Sequence, residues 1–92
     1  MRTVYKYPIT DIPMRVQIPD GAKILDAQMQ EDIPTLWAEV ETDNQRVVRT
    51  FFIVATGQPL PKECARYIAT MQDGPLVWHV YEVSEVGKVE PL

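Results

Sequence analysis

The sequence has very few of the residues that build catalytic and metal-binding sites. Cysteine, histidine and serine occur once each, as Cys64, His79 and Ser84. A zinc site needs three or four Cys, His or carboxylate ligands, and this chain offers no such set. The four glycines are dispersed and form neither a phosphate-binding loop nor a dinucleotide-binding fingerprint. The sequence therefore predicts neither a metal nor a cofactor, and it contains no recognisable catalytic motif.

Long apolar runs and clusters of basic residues are also missing. No segment approaches the roughly 18 apolar residues that cross a bilayer, and the N-terminus lacks the apolar stretch of a signal peptide. A lone cysteine cannot form an internal disulfide, whereas small secreted domains usually carry several. With 13 acidic and 9 basic residues and a formal net charge of −4, the chain lacks the basic face of a nucleic-acid binder. We expect a cytoplasmic protein without membrane contact or a nucleic-acid partner.

Prolines and glycines divide the chain into short segments, most of which alternate between apolar and polar residues with a period of two. Such segments predict β-strands. They are RTVYKY, MRVQIP, AKILDAQMQ, TLWAEVET, RVVRTFFIVAT, YIATMQ and PLVWHVYEV. RVVRTFFIVAT is the longest and most apolar, which favours a central position with cover on both faces. Within AKILDAQMQ, the alternation places Leu25, Ala27 and Met29 together on one face.

Turn residues between these segments complete the predicted architecture. Pro19 to Gly21 forms a strong turn signal, and residues 43–45 and 73–74 have the composition of hairpin turns. We expect one domain, residues 1–92, with residues 84–92 as a frayed polar tail. The predicted fold class is mainly β, a small antiparallel β-sandwich or partly open barrel of five to seven strands. One short helix near residues 61–66 remains an alternative for that segment.

A binding surface is the kind of site that the residues favour. Trp37 shares its strand face with Glu39 and Glu41, so it is an exposed aromatic of the type enriched at hot spots if that face meets solvent. The alternative is that the small core curls over this face and buries it. Residues 56–58, flanked by arginine and tyrosine, offer donors for a small polar or anionic ligand. The candidate ligand- or partner-binding residues are Trp37, Arg49, Thr56, Gly57, Gln58, Tyr67 and His79.

The single histidine has three interpretations. His79 lies between Val77 and Tyr81 in a strand whose two faces both carry large apolar groups, which indicates an internal or covered strand. A histidine in this setting is most often half-buried and bonded to a carbonyl or carboxylate, and contact with a ligand is the second interpretation. A pair with Cys64 or Glu82 would instead make it catalytic, and such pairs are recognised by their geometry.

Six segments spread over nearly the whole chain form a distinctive combination. They are VYKYPI, PDGAKIL, LWAEV, FFIVATGQPLP, YIATMQ and VWHVYEV, with TGQPLP corresponding to a TG-x-P-[IL]-P motif and VWHV to a VWH-[VI] ending. Together they resemble a family of small hypothetical proteins of phages and prophages. The resemblance brings no established activity and no assigned catalytic residue. It implies a viral or prophage accessory gene that acts in the host bacterial cytoplasm.

The resulting hypothesis is a non-enzymatic phage or prophage accessory protein that binds a host protein or a small ligand. Small acidic phage proteins often act by binding, which includes inhibition of bacterial immune defence, and this step rests on analogy. Two alternatives stay open. One is a small hydrolase or transferase that uses His79, and the other is a structural or assembly homo-oligomer formed by pairing of strand edges such as RTVYKY.

Overall fold

A computed structural model describes residues 1–84, and this part of the chain consists of strands and connections without a helix. The strands are β1 (Arg2–Pro8), β2 (Met14–Pro19), β3 (Lys23–Gln30), β4 (Ile33–Glu41), β5 (Arg46–Ala55), β6 (Cys64–Asp73) and β7 (Leu76–Val83). The prediction of a mainly β fold with five to seven strands is confirmed. Apart from Ser84, the tail predicted at 84–92 lies outside the described residues.

The strands form two antiparallel sheets that pack face to face. A three-stranded sheet has the order β1-β4-β3, and a four-stranded sheet has the order β2-β5-β7-β6. The edge strands β3 and β6 lie beside each other without forming a ladder. This is the predicted small β-sandwich or partly open barrel, and the predicted central position of β5 is confirmed.

The core lies between the sheets and follows the period of two. On β4 the predicted set Leu36, Ala38 and Val40 is buried, with relative exposures of 0%, 0% and 2%. Phe51 on β5 and Val80 on β7, with exposures of 1% and 0%, share one cluster with Leu36, while Ala38 and Val40 lie in a second cluster with Ile18 and Ala22. Truncating a buried phenylalanine to alanine typically costs about 3–5 kcal/mol, so each of these inward positions matters in a domain of this size.

A bulge in β3 changes which of its side chains face the core. The register with β4 shifts between Ile24 and Asp26, and a bulge of this kind adds one residue and reverses the parity on one side of it. The predicted inward position of Leu25 is therefore wrong: this side chain is 47% exposed, and Ile24 packs against the core instead. Ala27 and Met29, beyond the bulge, contact the core on the predicted face.

Three connections can be compared with their predictions. The hairpin at residues 73–74 is confirmed, because Gly74, with φ +60°, begins a two-residue connection between β6 and β7. The turn at 43–45 is not a hairpin turn, since it joins β4 and β5 in different sheets. The helix considered for 61–66 is not formed. A turn at 62–63 leads directly into β6, which begins at Cys64 and pairs with Val83.

Residues 56–63, here called the crossover loop, join two parallel strands across a third. β5 and β6 both pair antiparallel with β7, so they run in the same direction. β5 ends opposite Trp78 and β6 begins opposite Val83, which obliges the loop to travel the length of β7. Pro59 and Pro61 restrict φ and favour the extended path that this requires. The loop passes over the outer face, meaning the face of the four-stranded sheet that points away from the three-stranded sheet.

The β3–β4 hairpin turns on two residues that rarely adopt its conformation. Glu31 and Asp32 have φ values of 50° and 68°. Two consecutive positive φ values are typical of a type I′ turn, for which Asn-Gly is the favoured pair. A non-glycine residue in this region carries a steric cost of roughly 1–2 kcal/mol, so the hairpin is held by its strands and not by its turn residues.

We predict that the double substitution Glu31→Asn with Asp32→Gly raises the free energy of unfolding by about 1 kcal/mol, because it relieves this backbone strain. Urea denaturation followed by tryptophan fluorescence would measure the change. The matched control is Asp43→Asn with Asn44→Gly, where φ is not positive. An equal gain in the control would contradict the assignment to the hairpin backbone.

Candidate functional site

Four side chains joined by hydrogen bonds lie on the outer face of the four-stranded sheet. His79 Nε2 lies 2.8 Å from Thr56 Oγ1, and His79 Nδ1 lies 3.1 Å from Thr70 Oγ1. The Thr70 hydroxyl is also 2.8 Å from Tyr67 Oη. Both nitrogens of the only histidine are therefore engaged by hydroxyl groups. We call this set of four residues the hydroxyl–histidine chain.

The strand register explains why these residues meet. β7 lies between β5 and β6, and His79 is directly opposite Val54 on one side and Thr70 on the other. Directly opposite residues of antiparallel strands point to the same face. Trp78 and Val80 pack into the core, so His79 between them points outward. Thr56, two residues after Val54, reaches the same face from the start of the crossover loop.

A shallow hollow of about 250 Å³ lies beside the hydroxyl–histidine chain, under the crossover loop. We call it the outer hollow, and its lining includes Val54, Thr56, Gln58, Leu60, His79 and Tyr81. Gly57, with φ +95°, allows the tight turn that brings Gln58 back toward the strand. The Ala55 N–H donates to Gln58 Oε1 at 2.7 Å, and the Gln58 N–H donates to the Ala55 carbonyl at 3.0 Å. These two reciprocal bonds fix Gln58 at the rim.

Two tyrosines add aromatic area to this surface, Tyr81 in the lining of the hollow and Tyr67 beside it. The rings of Tyr67 and Tyr81 lie 5.7 Å apart in an edge-to-face arrangement, a geometry that stabilises aromatic pairs. Tyr67 is 54% exposed, although its hydroxyl belongs to the hydroxyl–histidine chain. The outer face thus presents aromatic area and hydrogen-bonding groups side by side.

The structure brings together five of the seven predicted binding residues, namely Thr56, Gly57, Gln58, Tyr67 and His79. Trp37 and Arg49 do not join them. Trp37 lies on the solvent-facing side of the three-stranded sheet, half-buried between Lys6 and Asp26 on the neighbouring strands. Arg49 lies on the inner side of the four-stranded sheet, in a separate arrangement with Glu82.

Thr70 is a member of the candidate site that is not among the residues predicted from the sequence. Its signal is the two-residue hairpin between β6 and β7, which begins with Asp73 opposite Leu76. Three residues before Asp73 is Thr70, and three residues after Leu76 is His79, so these two residues lie opposite each other. The sequence predicts the turn at 73–74, and the register that follows from that turn identifies Thr70 as the partner of His79.

Arg49 and Glu82 form a buried ion pair between the sheets. Arg49 Nε donates to Glu82 Oε2 at 2.6 Å and Nη2 donates to Oε1 at 2.9 Å, while Nη1 donates to the Ala22 carbonyl at the start of β3. The two side chains are 13% and 7% exposed. Arg66 Nη1 lies 4.0 Å from Glu82 Oε1. The pair lines a cavity of about 460 Å³. Its guanidinium and carboxylate already bind each other.

The catalytic pairs considered for His79 are not formed. Glu82 points to the opposite face of β7 and binds Arg49. Cys64 pairs with Val83 at one end of the β6–β7 ladder, four residues along β7 from His79. Burial, and secondarily the negative charge of Glu63, raises the pKa of the Cys64 thiol. A raised pKa leaves less thiolate at neutral pH, which is the reverse of how a nucleophilic cysteine is activated.

Within residues 1–84, no group of three or more His, Cys, Asp or Glu side chains is placed to hold a metal ion. The same residues contain no helix long and apolar enough to cross a membrane.

The fold and the outer hollow together define a small all-β domain with an open, polar surface site. The chain belongs to the family described as Domain of unknown function (DUF7352), whose model matches residues 1–90. Neither a curated protein nor a solved structure matches the chain. Family membership therefore assigns no activity to the chain.

We predict that Glu82→Gln lowers the free energy of unfolding by about 3 kcal/mol, because it removes the charge that compensates the buried Arg49 guanidinium. Chemical denaturation would measure the loss. Glu39→Gln is the matched control, since it breaks an exposed 3.1 Å pair with Arg2 and should cost no more than about 1 kcal/mol. Similar losses in the two variants would contradict a special role for the buried pair.

Proposed function

We propose that this protein is a non-enzymatic phage or prophage accessory protein that binds a bacterial host protein through the outer face of its four-stranded sheet. The observation that carries the proposal is the partly exposed hydroxyl–histidine chain beside the outer hollow. Polar groups ordered on a surface by their neighbours bind with little loss of conformational entropy. This face offers such groups next to exposed apolar area.

The size of the hollow favours a protein partner over a free small ligand. Pockets that bury a small molecule usually enclose about 300–1,000 Å³, and the outer hollow, at about 250 Å³, is smaller and open. That volume suits one side chain of a larger partner. Tyr67 and Leu60, which are 54% and 47% exposed, would then be covered by the surrounding surface of the partner. Tyrosine is among the residues enriched at binding hot spots.

The resemblance to phage and prophage proteins supports the biological part of the proposal. A phage accessory protein acts on its host, so the partner is a bacterial protein and the site of action is the host cytoplasm. Inhibition of bacterial immune defence is the specific role that we propose, because it requires tight binding and no chemistry. The acidic character of the chain, with a net charge of −4, suits association with a protein and opposes association with nucleic acid.

The test is whether capture of a host protein depends on the outer face of the four-stranded sheet. Immobilised protein is exposed to host lysate, and each captured protein is purified and its affinity measured by calorimetry. We expect Tyr67→Ala to weaken binding at least tenfold, because this removes the main exposed aromatic contact. The control is Val4→Ala, an equally exposed position on the three-stranded sheet. Loss of binding in the Val4 variant with none in the Tyr67 variant would overturn the proposed face.

One observation favours a second candidate, a small hydrolase or transferase that uses His79. The 2.8 Å contact between Thr56 Oγ1 and His79 Nε2 is the arrangement of a hydroxyl nucleophile and its base. In a catalytic triad the third residue is a carboxylate, whose negative charge stabilises the imidazolium. Here that position is taken by the hydroxyl of Thr70, which carries no charge. For this reason the geometry supports binding better than catalysis.

The two candidates make different predictions for an activated ester. If the protein only binds, p-nitrophenyl acetate should hydrolyse at equal rates with wild type, Thr56→Val and His79→Gln, and mass spectrometry should find no acetylated Thr56. Acetylation of Thr56 that disappears in His79→Gln would favour the enzyme instead. Thermal unfolding of each variant checks that the fold is retained.

A further inference from the structure

We propose that the outer hollow binds a carboxylate group and that this binding is coupled to uptake of a proton by His79. The inference rests on the proposed function, because it names the chemical group by which the partner is recognised. The partner would be a protein that presents an aspartate or glutamate side chain to the hollow.

With a neutral imidazole, the hydroxyl–histidine chain can offer only one proton to a ligand. Three hydroxyls and one ring N–H supply four protons, and the three bonds between them use one proton each. The remaining proton lies at one end, either on Thr56 or on Tyr67. Because the bonds all point in one direction, an end that donates outward obliges the other end to accept.

Protonation of His79 changes both ends at once. Both ring nitrogens then donate, so Thr56 accepts from Nε2 and Thr70 accepts from Nδ1. The freed hydroxyl protons point outward, from Thr56 directly and from Thr70 through Tyr67. In this state the chain presents donors at both ends and carries a positive charge, which matches a ligand that is an acceptor and an anion.

The imidazolium has no carboxylate contact among the described residues. Its two hydrogen-bond partners are neutral hydroxyls, and a charge-assisted hydrogen bond is roughly twice as strong as a neutral one. A ligand carboxylate bound to the Thr56 hydroxyl would supply the missing negative charge one hydrogen bond away. The free energy of that interaction is the physical link between ligand binding and proton uptake.

Gln58 supplies a second donor on the same rim. Of the two terminal atoms of a glutamine amide only the oxygen can accept a hydrogen bond, so the bond from the Ala55 N–H fixes Oε1 inward at 2.7 Å. The amide nitrogen of Gln58 is therefore the end of the side chain left for a ligand. Thr56 and Gln58 both line the hollow, and together they offer an O–H and an N–H to the two oxygens of one carboxylate.

The charges around His79 permit an anion there. On the outer face β5 contributes Thr50, Phe52 and Val54, none of which is charged. The titratable or charged groups of the other surrounding elements are Tyr81 on β7, Tyr67 on β6, and Lys62 and Glu63 on the crossover loop, whereas Arg66 points to the inner face near Glu82. Lys62 and Glu63 carry opposite charges at neutral pH, so these groups add no net negative charge. The larger cavity at Arg49 is less suited to binding a carboxylate, since the Arg49 guanidinium already donates two hydrogen bonds to Glu82.

Nuclear magnetic resonance tests the proposal, because a single histidine gives one unambiguous set of imidazole signals. The pH midpoint of the His79 signals is measured in sodium acetate and in sodium chloride at equal ionic strength. We expect acetate to move the midpoint upward in wild type and in the control Tyr5→Phe, which removes a hydroxyl from the other sheet. In Thr56→Val the acetate effect should disappear. Above the midpoint, acetate affinity should fall about tenfold per pH unit, as proton linkage requires.

A second variant keeps the test decisive if Thr56→Val perturbs the loop. Gln58→Glu keeps an oxygen for the Ala55 N–H and places a carboxylate at the rim, so it should raise the midpoint without acetate and abolish the acetate effect. N-acetylglutamate amide at the same concentrations replaces acetate in a parallel arm. Tighter binding of this blocked residue would assign the carboxylate to a protein side chain.

Identical midpoints in acetate and in chloride would overturn the carboxylate proposal. If the host protein is still captured through Tyr67 in that case, the proposed function stands and only the inference fails. An acetate effect without any face-dependent partner would have the opposite meaning, since the ligand class would hold while the protein-binding role would fail.

Discussion

The position of β7 between β5 and β6 is the constraint on which the rest of the structure depends. Both neighbours pair with β7, so one strand hydrogen-bonds two parallel strands that could not be joined by a short hairpin. Its side chains alternate between the two faces. Val80 and Glu82 point inward, and His79 and Tyr81 point outward. The core, the buried ion pair and the outer hollow therefore share one strand and one register.

The Arg49–Glu82 pair connects this strand to the opposite sheet. Taking two charges out of water costs several kcal/mol per ion, which only good geometry and further hydrogen bonds offset. Here the bidentate hydrogen bonds from Arg49 to the Glu82 carboxylate and the bond to the Ala22 carbonyl provide that compensation. Because Ala22 precedes β3, the guanidinium holds the start of β3, which belongs to the three-stranded sheet, against β5 and β7. We regard its main contribution as fixing this arrangement, since such pairs add little net stability.

Much of the fold could be predicted from the sequence because its strands are short, alternate regularly and end at prolines and glycines. The inward residues of β4 and the hairpin at Gly74 follow from local pattern alone. Leu25 was placed on the wrong face because the bulge depends on pairing with β4, which local alternation does not contain. The turn after β4 was taken for a hairpin because turn composition does not reveal whether the next strand joins the same sheet.

The candidate site was predictable in part for the same reasons. Thr56, Gly57 and Gln58 stood out as a polar turn after the central strand, and Tyr67 and His79 as unusual residues on a strand. That these residues meet depends on the order β5-β7-β6, which places His79 between the other two strands. Trp37 and Arg49 carry suitable chemistry, yet their strands turn them toward other surfaces. Residue type indicated which groups could bind, and topology decided which of them are neighbours.

The strand order also has a consequence for how the chain folds. β7 is the last strand of the described chain, and it enters the sheet between two strands made before it. Until it arrives, β5 and β6 both have unpaired edges, and contacts that are distant in sequence fold slowly. The hydroxyl–histidine chain takes its members from three segments that meet only at this step. During synthesis on the ribosome, a nascent chain would therefore complete the outer hollow and the core in the same late event.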